Sequence, residues 1–118
     1  MPTEDKELFD PLAEGSDIEW EPVEGYPDGI YEKVLYMDED GSHSRILKFE
    51  PGVETDEVLS HDFYEEVYVI SGGLIDTTLD EVFQAGTYAC RTPGMKHGPY
   101  KTPIGCMTFE TRYYEDGN

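Results

Sequence analysis

The chain has 118 residues, of which 27 are acidic and 8 are Lys or Arg, for a formal net charge of −19. That length fits one domain with a real core and is too short for two. The charge excludes nucleic acid and anionic membranes as partners, because both need clustered Lys and Arg, and no apolar run is long enough to cross a bilayer.

The acidity has two readings. One is simple solubility; the other is adaptation to salt, in which counter-ions relieve the self-repulsion. The first eight residues carry neither the basic nor the apolar region of a signal peptide, so a cytoplasmic location is expected. Cys90 and Cys106 fit no zinc-finger spacing and are expected to be reduced, small buried residues.

Residues 1–16 are acidic, punctuated by Pro2, Pro11 and Gly15, and show no period. They are expected to form an arm, either lying on the body of the protein with Phe9 and Leu12 as tethers or mobile. Residues 17–118 are expected to form a single domain. In 17–23, Ile18 and Trp20 alternate with glutamates, as in a half-buried strand. Tyr26-Pro27-Asp28-Gly29 is a turn: Pro27 fixes φ and Gly29 admits positive φ.

Two strands follow, Ile30–Met37 and His43–Phe49, joined by a turn over 38–42. Pro51-Gly52 breaks the second strand, and 53–62 is an irregular or extended lead. Residues 65–71 are rich in β-branched and aromatic side chains and read as a strand that Gly72-Gly73 ends in a turn. Short strands over 74–77, Glu81–Gln84 and 87–92 come next. Pro93-Gly94 then turns the chain towards His97, with Pro99 and Pro103 excluding helix there. A final strand runs over 105–114. No window has a helical period, and roughly eight short strands between turns predict an all-β antiparallel sandwich or barrel.

On the strand that begins at Glu65, side chains alternate. Glu65, Val67 and Val69 share one face, and Glu66, Tyr68 and Ile70 share the other. Two of the three histidines, His61 and His97, stand in punctuated stretches that such a fold can bring face to face. Imidazole and carboxylate together suit Fe(II), Zn(II), Ni(II) or Mn(II), and two histidines with one carboxylate leave open positions on iron. His61, Glu65 and His97 are therefore the candidate ligands of one divalent metal, with Fe(II) favoured. The alternative is that both histidines are plain loop-edge residues. His43, between a turn and a strand, is expected to be no ligand. Arg91 and Tyr100 are candidate substrate-binding groups, Arg91 offering a cation to an enolate or other anionic oxygen or, alternatively, forming an ordinary ion pair. Tyr68, Tyr88, Tyr113 and Tyr114 read as packing or interface aromatics.

The spacings in these two stretches resemble the cupin motifs. His61, three residues, Glu65, six residues and Gly72 match the second half of the first motif, with Pro51-Gly52 like its opening. Gly86, five residues, Thr92, one residue, Gly94, two residues and His97 match the second. Leu59 stands where the first histidine of the usual pair belongs, Thr92 replaces a proline and Lys101 an asparagine. The stretch from about residue 44 to 114 looks most like the small cupins related to the zinc-binding domain of the ChrR anti-sigma factor. Acetylacetone- and dihydroxyacetophenone-cleaving dioxygenases are cupins of broadly this size. The resemblance implies a jelly roll, three of the four family ligands, and a small-molecule substrate. It points first to an oxygenase cleaving a C–C bond of a small ketone or diketone. The alternatives are a non-enzymatic metal- or ligand-binding sensor and a metal-free isomerase. No catalytic residue is assigned. Exposed aromatics on the strand faces lead to the expectation of a homodimer.

Overall fold

The computed structural model describes residues 5–114. Nine strands form: β1 (Glu21–Pro22), β2 (Ile30–Met37), β3 (His43–Phe49), β4 (Val53–Glu54), β5 (Tyr64–Asp76), β6 (Glu81–Gln84), β7 (Tyr88–Arg91), β8 (Tyr100–Thr102) and β9 (Cys106–Tyr113). There is no helix among the described residues, and none long and apolar enough to cross a membrane. All pairings are antiparallel, and the hydrogen-bonded path β1-β2-β3-β9-β5-β8-β4, with β6 and β7 also on β5, curls into an antiparallel jelly-roll barrel.

The central element is β5, and here the expected turn does not occur. The strand runs through Gly72-Gly73 for 13 residues. Its first half pairs with β7 and β9, and its last four residues pair with β6. A bulge between Val69 and Ser71 bends it from one sheet into the other. Gly72 has a φ of +69°, and a Cβ there would run into the Gly105 carbonyl. The glycines therefore serve a close crossing of two backbones, not a reversal of the chain.

The strand expected over 17–23 shrinks to β1, two exposed residues. The chain before it is held differently from expectation. Lys33 Nζ donates to the Pro11 carbonyl at 2.7 Å. The Trp20 ring lies against the ammonium groups of Lys33 and Lys48, 5.1 and 4.4 Å from its centroid. Phe9 and Leu12 stay exposed. Residues 1–4 of the expected arm, and 115–118 of the expected domain, lie outside the described residues.

The alternation on β5 is as read: Glu65, Val67 and Val69 are buried, while Tyr68 and Ile70 are exposed. Neighbouring strands share a gradient along the barrel. Inward side chains run Phe49, Leu47, Arg45 on β3 and Cys106, Thr108, Glu110, Arg112 on β9. One end of the barrel is thus an apolar plug, in which Ile30, Leu47, Phe49, Val53, Val69 and Leu74 pack together. The other end is lined with charge.

Candidate metal centre

Register sets the charged end. The direct neighbours of Glu65 across the sheet are Arg91 on β7 and Arg112 on β9. Arg91 Nη1 donates to Glu65 Oε1 at 3.0 Å, and Arg112 Nε to Oε2 at 2.9 Å. One row deeper, Arg45 faces Glu110 and bonds both its Oε1, at 3.0 Å, and Glu32, at 2.8 Å. Thr108 donates to Glu110 Oε2 at 3.0 Å. The three arginines of the chain are thus all held in the barrel on carboxylates, three charges against three. Burial works against the Arg45 charge, but Glu110 and Glu32 outweigh it and hold the guanidinium above its ordinary pKa.

The two histidine stretches meet at the mouth of this end. The Leu59 N–H donates to the His97 carbonyl at 2.7 Å, and the His97 N–H donates to the Leu59 carbonyl at 2.9 Å. Gly94 N–H adds a bond to the His61 carbonyl at 2.8 Å. His61 stacks on Phe63 at 4.4 Å, and Arg112 sits over the far ring at 4.7 Å. The ring centroids of His61 and His97 are 5.1 Å apart.

The Nε2 atoms of His61 and His97 are buried and have no hydrogen-bond partner. Buried polar atoms are nearly always satisfied, so a convergent pair left bare calls for a ligand. One ring nitrogen of each histidine and a Glu65 oxygen lie within 4.8 Å of one another, a group able to hold a metal ion. The residues fit such an ion. Each Glu65 oxygen spends one lone pair on an arginine and keeps another. Burial, followed by Arg91, His61 and Arg112, pushes the His97 pKa down to about 4, so the ring is neutral near pH 7. Burial also lowers His61, with Glu65 opposing it. The Tyr100 hydroxyl lies 2.8 Å from His97 Nδ1 and accepts from Arg91 Nη2 at 2.7 Å. In the tautomer with the proton on Nδ1, His97 donates to that hydroxyl and leaves the Nε2 lone pair free. Burial holds Tyr100 above its ordinary pKa, as a neutral phenol.

Arg91 and Tyr100, candidates for substrate contact, thus lie in the shell around Glu65 and His97. Both also line a cavity of about 190 Å³ together with Leu59, His61, Glu65 and Arg112. The apolar Leu59 side chain faces this cavity from the position of the missing histidine. His43 stands apart, its Nδ1 at 2.8 Å from the Gly41 carbonyl. Arg112, Glu110 and Arg45 escaped the sequence reading. The available signal was charged residues at alternate positions of a strand, and an arginine count of three. Of the cysteines, Cys106 is buried as expected, with its thiol pushed up to about 11 by burial, whereas Cys90 is exposed on β7; both are free.

The model of the ChrR cupin-like domain family matches residues 10–113. No curated protein matches the chain. Among solved structures, an RmlC-like cupin from Shewanella frigidimarina aligns with a TM-score of 0.69 at 21% identity, over 89% of this chain and 91% of that one. An acetylacetone dioxygenase from Acinetobacter johnsonii aligns at 0.68 and 19% identity, over 98% and 84%. The anti-sigma factor ChrR of Rhodobacter sphaeroides, in complex with SigE, aligns at 0.63 and 19%, over 85% of this chain and 52% of that one. These likenesses are of fold.

Proposed function

The chain belongs to the ChrR cupin-like domain family, and from that premise we propose that His61, Glu65 and His97 hold one divalent metal, Fe(II) favoured over Zn, Ni or Mn, in an oxygenase that cleaves a C–C bond of a small ketone or diketone. The observation that carries this reading is that both histidines of the close His61–Glu65–His97 group keep a buried, partnerless Nε2. When bound, the ion supplies Lewis-acid chemistry and, for Fe(II), redox chemistry.

The chain's own residues do the rest. The three arginines are matched by Glu32, Glu65 and Glu110, and Asp56 and Glu57 add two more carboxylates to the cavity lining. A bound divalent cation would offer its charge to an anionic oxygen such as that of an enolate. Arg91 and Arg112 fix Glu65 by one bond to each of its oxygens. Tyr100 fixes the ring of His97. Leu47, Phe49 and Leu59 line the cavity with apolar surface that limits water. At about 190 Å³ the cavity lies below the range of drug-sized sites, which suits a compound of few heavy atoms. The acetylacetone dioxygenase of A. johnsonii, alike in fold, gives the diketone class its precedent.

The second reading is a metal- or ligand-binding sensor without catalysis, supported by the family match and by the ChrR likeness. In either reading we propose a homodimer. The outer face of β5, β7 and β9 carries the exposed Tyr68, Ile70 and Tyr88 and the stacked pair Tyr64–Tyr113, 5.3 Å between rings. The deciding experiment measures metal content by elemental analysis of untagged protein, then oxygen uptake with acetylacetone. One metal per chain, lost in His97→Ala and kept in His43→Ala, supports the site. Metal without oxygen uptake selects the sensor. Stoichiometric metal in His97→Ala overturns the ligand assignment.

A further inference from the structure

Behind the charged end lies a second and larger chamber, of about 620 Å³. It shares only Arg91 and His97 with the smaller cavity, so these two side chains form the partition between them. Its walls are hydrocarbon: Val67, Val69, Leu74, Phe83 and Ala89 from β5, β6 and β7. At its rim Val58, Leu79 and Met95 are each about half exposed, a set of apolar side chains left facing water around an opening. A chamber of this volume lies within the range of small-molecule sites.

Ser60, Thr78, Thr87 and Tyr88 also line it, and its charged groups are Asp76, Arg91 and Lys96. Asp76 turns its carboxylate to the backbone, accepting from Thr78, Leu79 and Gly98 N–H at 2.9, 3.0 and 3.3 Å. At the inner end Arg91 carries five N–H donors, of which Glu65 and Tyr100 take two. Lys96, exposed, also lines the chamber and makes no ion pair among the described residues. Both unspent donor groups are cationic, in a chain of net charge −19.

We propose that this chamber binds a carboxylate with a hydrocarbon body, its oxygens on the spare donors of Arg91 and its chain against Val67, Val69, Leu74 and Phe83. The site stands whether or not a metal occupies the neighbouring cavity.

The test is calorimetric titration of chelator-treated and untreated protein with hexanoate, octanoate, decanoate and octanol in molar KCl. Affinity rises about fourfold per added methylene, the ratio for a buried CH₂. Octanoate binds about tenfold or more tighter than octanol, since the alcohol lacks the charge-assisted bond. Ala89→Phe, which fills the chamber, abolishes the chain-length dependence, while Ile104→Phe, exposed and outside it, does not. Met95→Glu, on the exposed rim and safe for folding, weakens octanoate by repulsion and spares octanol. The proposal is overturned if affinity is flat with chain length, if octanol matches octanoate, or if Ala89→Phe and Met95→Glu both bind like the parent. Binding that disappears with chelator also overturns it, since the carboxylate would then sit on the metal. The metal content of the same samples judges the metal reading separately.

Discussion

Replacing Glu65 by Gln removes one negative charge from between two positive ones. Glu65 is 2% exposed, and its partners Arg91 and Arg112 keep side chains only 15% exposed. Removing one member of a buried ion pair costs about 3–5 kcal/mol, because the charge left behind has lost its compensation. Here two guanidiniums are left, and the new amide must point an N–H₂ at one of them. Their partial exposure lets water soften the repulsion, so we take the lower end, about 3 kcal/mol. Against a typical domain stability of about 5–15 kcal/mol, that is a large fraction. The control is Glu66→Gln, one residue along and on the outer face, where the carboxylate accepts only from the exposed Tyr88 hydroxyl at 2.6 Å; it should cost about 1 kcal/mol or less. The assay is urea unfolding with chelator present, followed by fluorescence of the single tryptophan, Trp20. With a slope of roughly 1–3 kcal/mol per molar urea, the Glu65→Gln midpoint should fall by about 1–3 M. Adding Arg112→Met to Glu65→Gln should cost less than the two changes separately, the mark of a coupled pair. A Glu65→Gln midpoint no lower than that of Glu66→Gln would refute the clamp.

Four other outcomes follow from the same structure. Leu59→His places an imidazole on the cavity wall beside His97 and should tighten metal binding, measured by competition with a chelator; unchanged affinity means that the wall faces another way. The melting temperature should rise from tens of millimolar to molar KCl, because screening relieves the repulsion of −19 charges; a flat curve would remove salt adaptation. One thiol per chain, Cys90, should react with a disulfide reagent at pH 7.5, and two after unfolding. Since the folded Cys106 thiol titrates near 11 rather than 9, the folded state holds its proton longer, so this group's contribution to stability is full below pH 9 and is lost between pH 9 and 11. The proposed homodimer should become a monomer in sedimentation on Tyr68→Asp; a parent that sediments as monomer at micromolar concentration removes the dimer.

The sequence reading reached the scaffold where period and punctuation speak plainly. Strands β2, β3 and β6 keep the residue ranges expected, and the alternation after Glu65 sorts inside from outside. It failed where a glycine has two uses. Gly72-Gly73 reads as a turn from composition, but what selects it is the backbone of Gly105, more than thirty residues away and invisible to any local window. The histidine stretches could be paired from spacing and family likeness alone. The arginine shell could not, because Arg91, Glu65 and Arg112 become neighbours only through the register of β7, β5 and β9. Cys90 was expected inside because cysteine usually is; its strand is an edge with alternating faces, and parity put it out.

That register also dictates an order of events. Strand β9 is the last of the nine, and it must insert between β3 and β5, which are both made long before it. Until it does, both strands present open edges able to pair with another chain, and Glu65 on β5 lacks Arg112 while Arg45 on β3 lacks Glu110. Contacts so distant in sequence form slowly. The barrel's charged end is therefore an assembly checkpoint: it closes only when the final strand arrives, and a nascent chain is most exposed to aggregation during that wait.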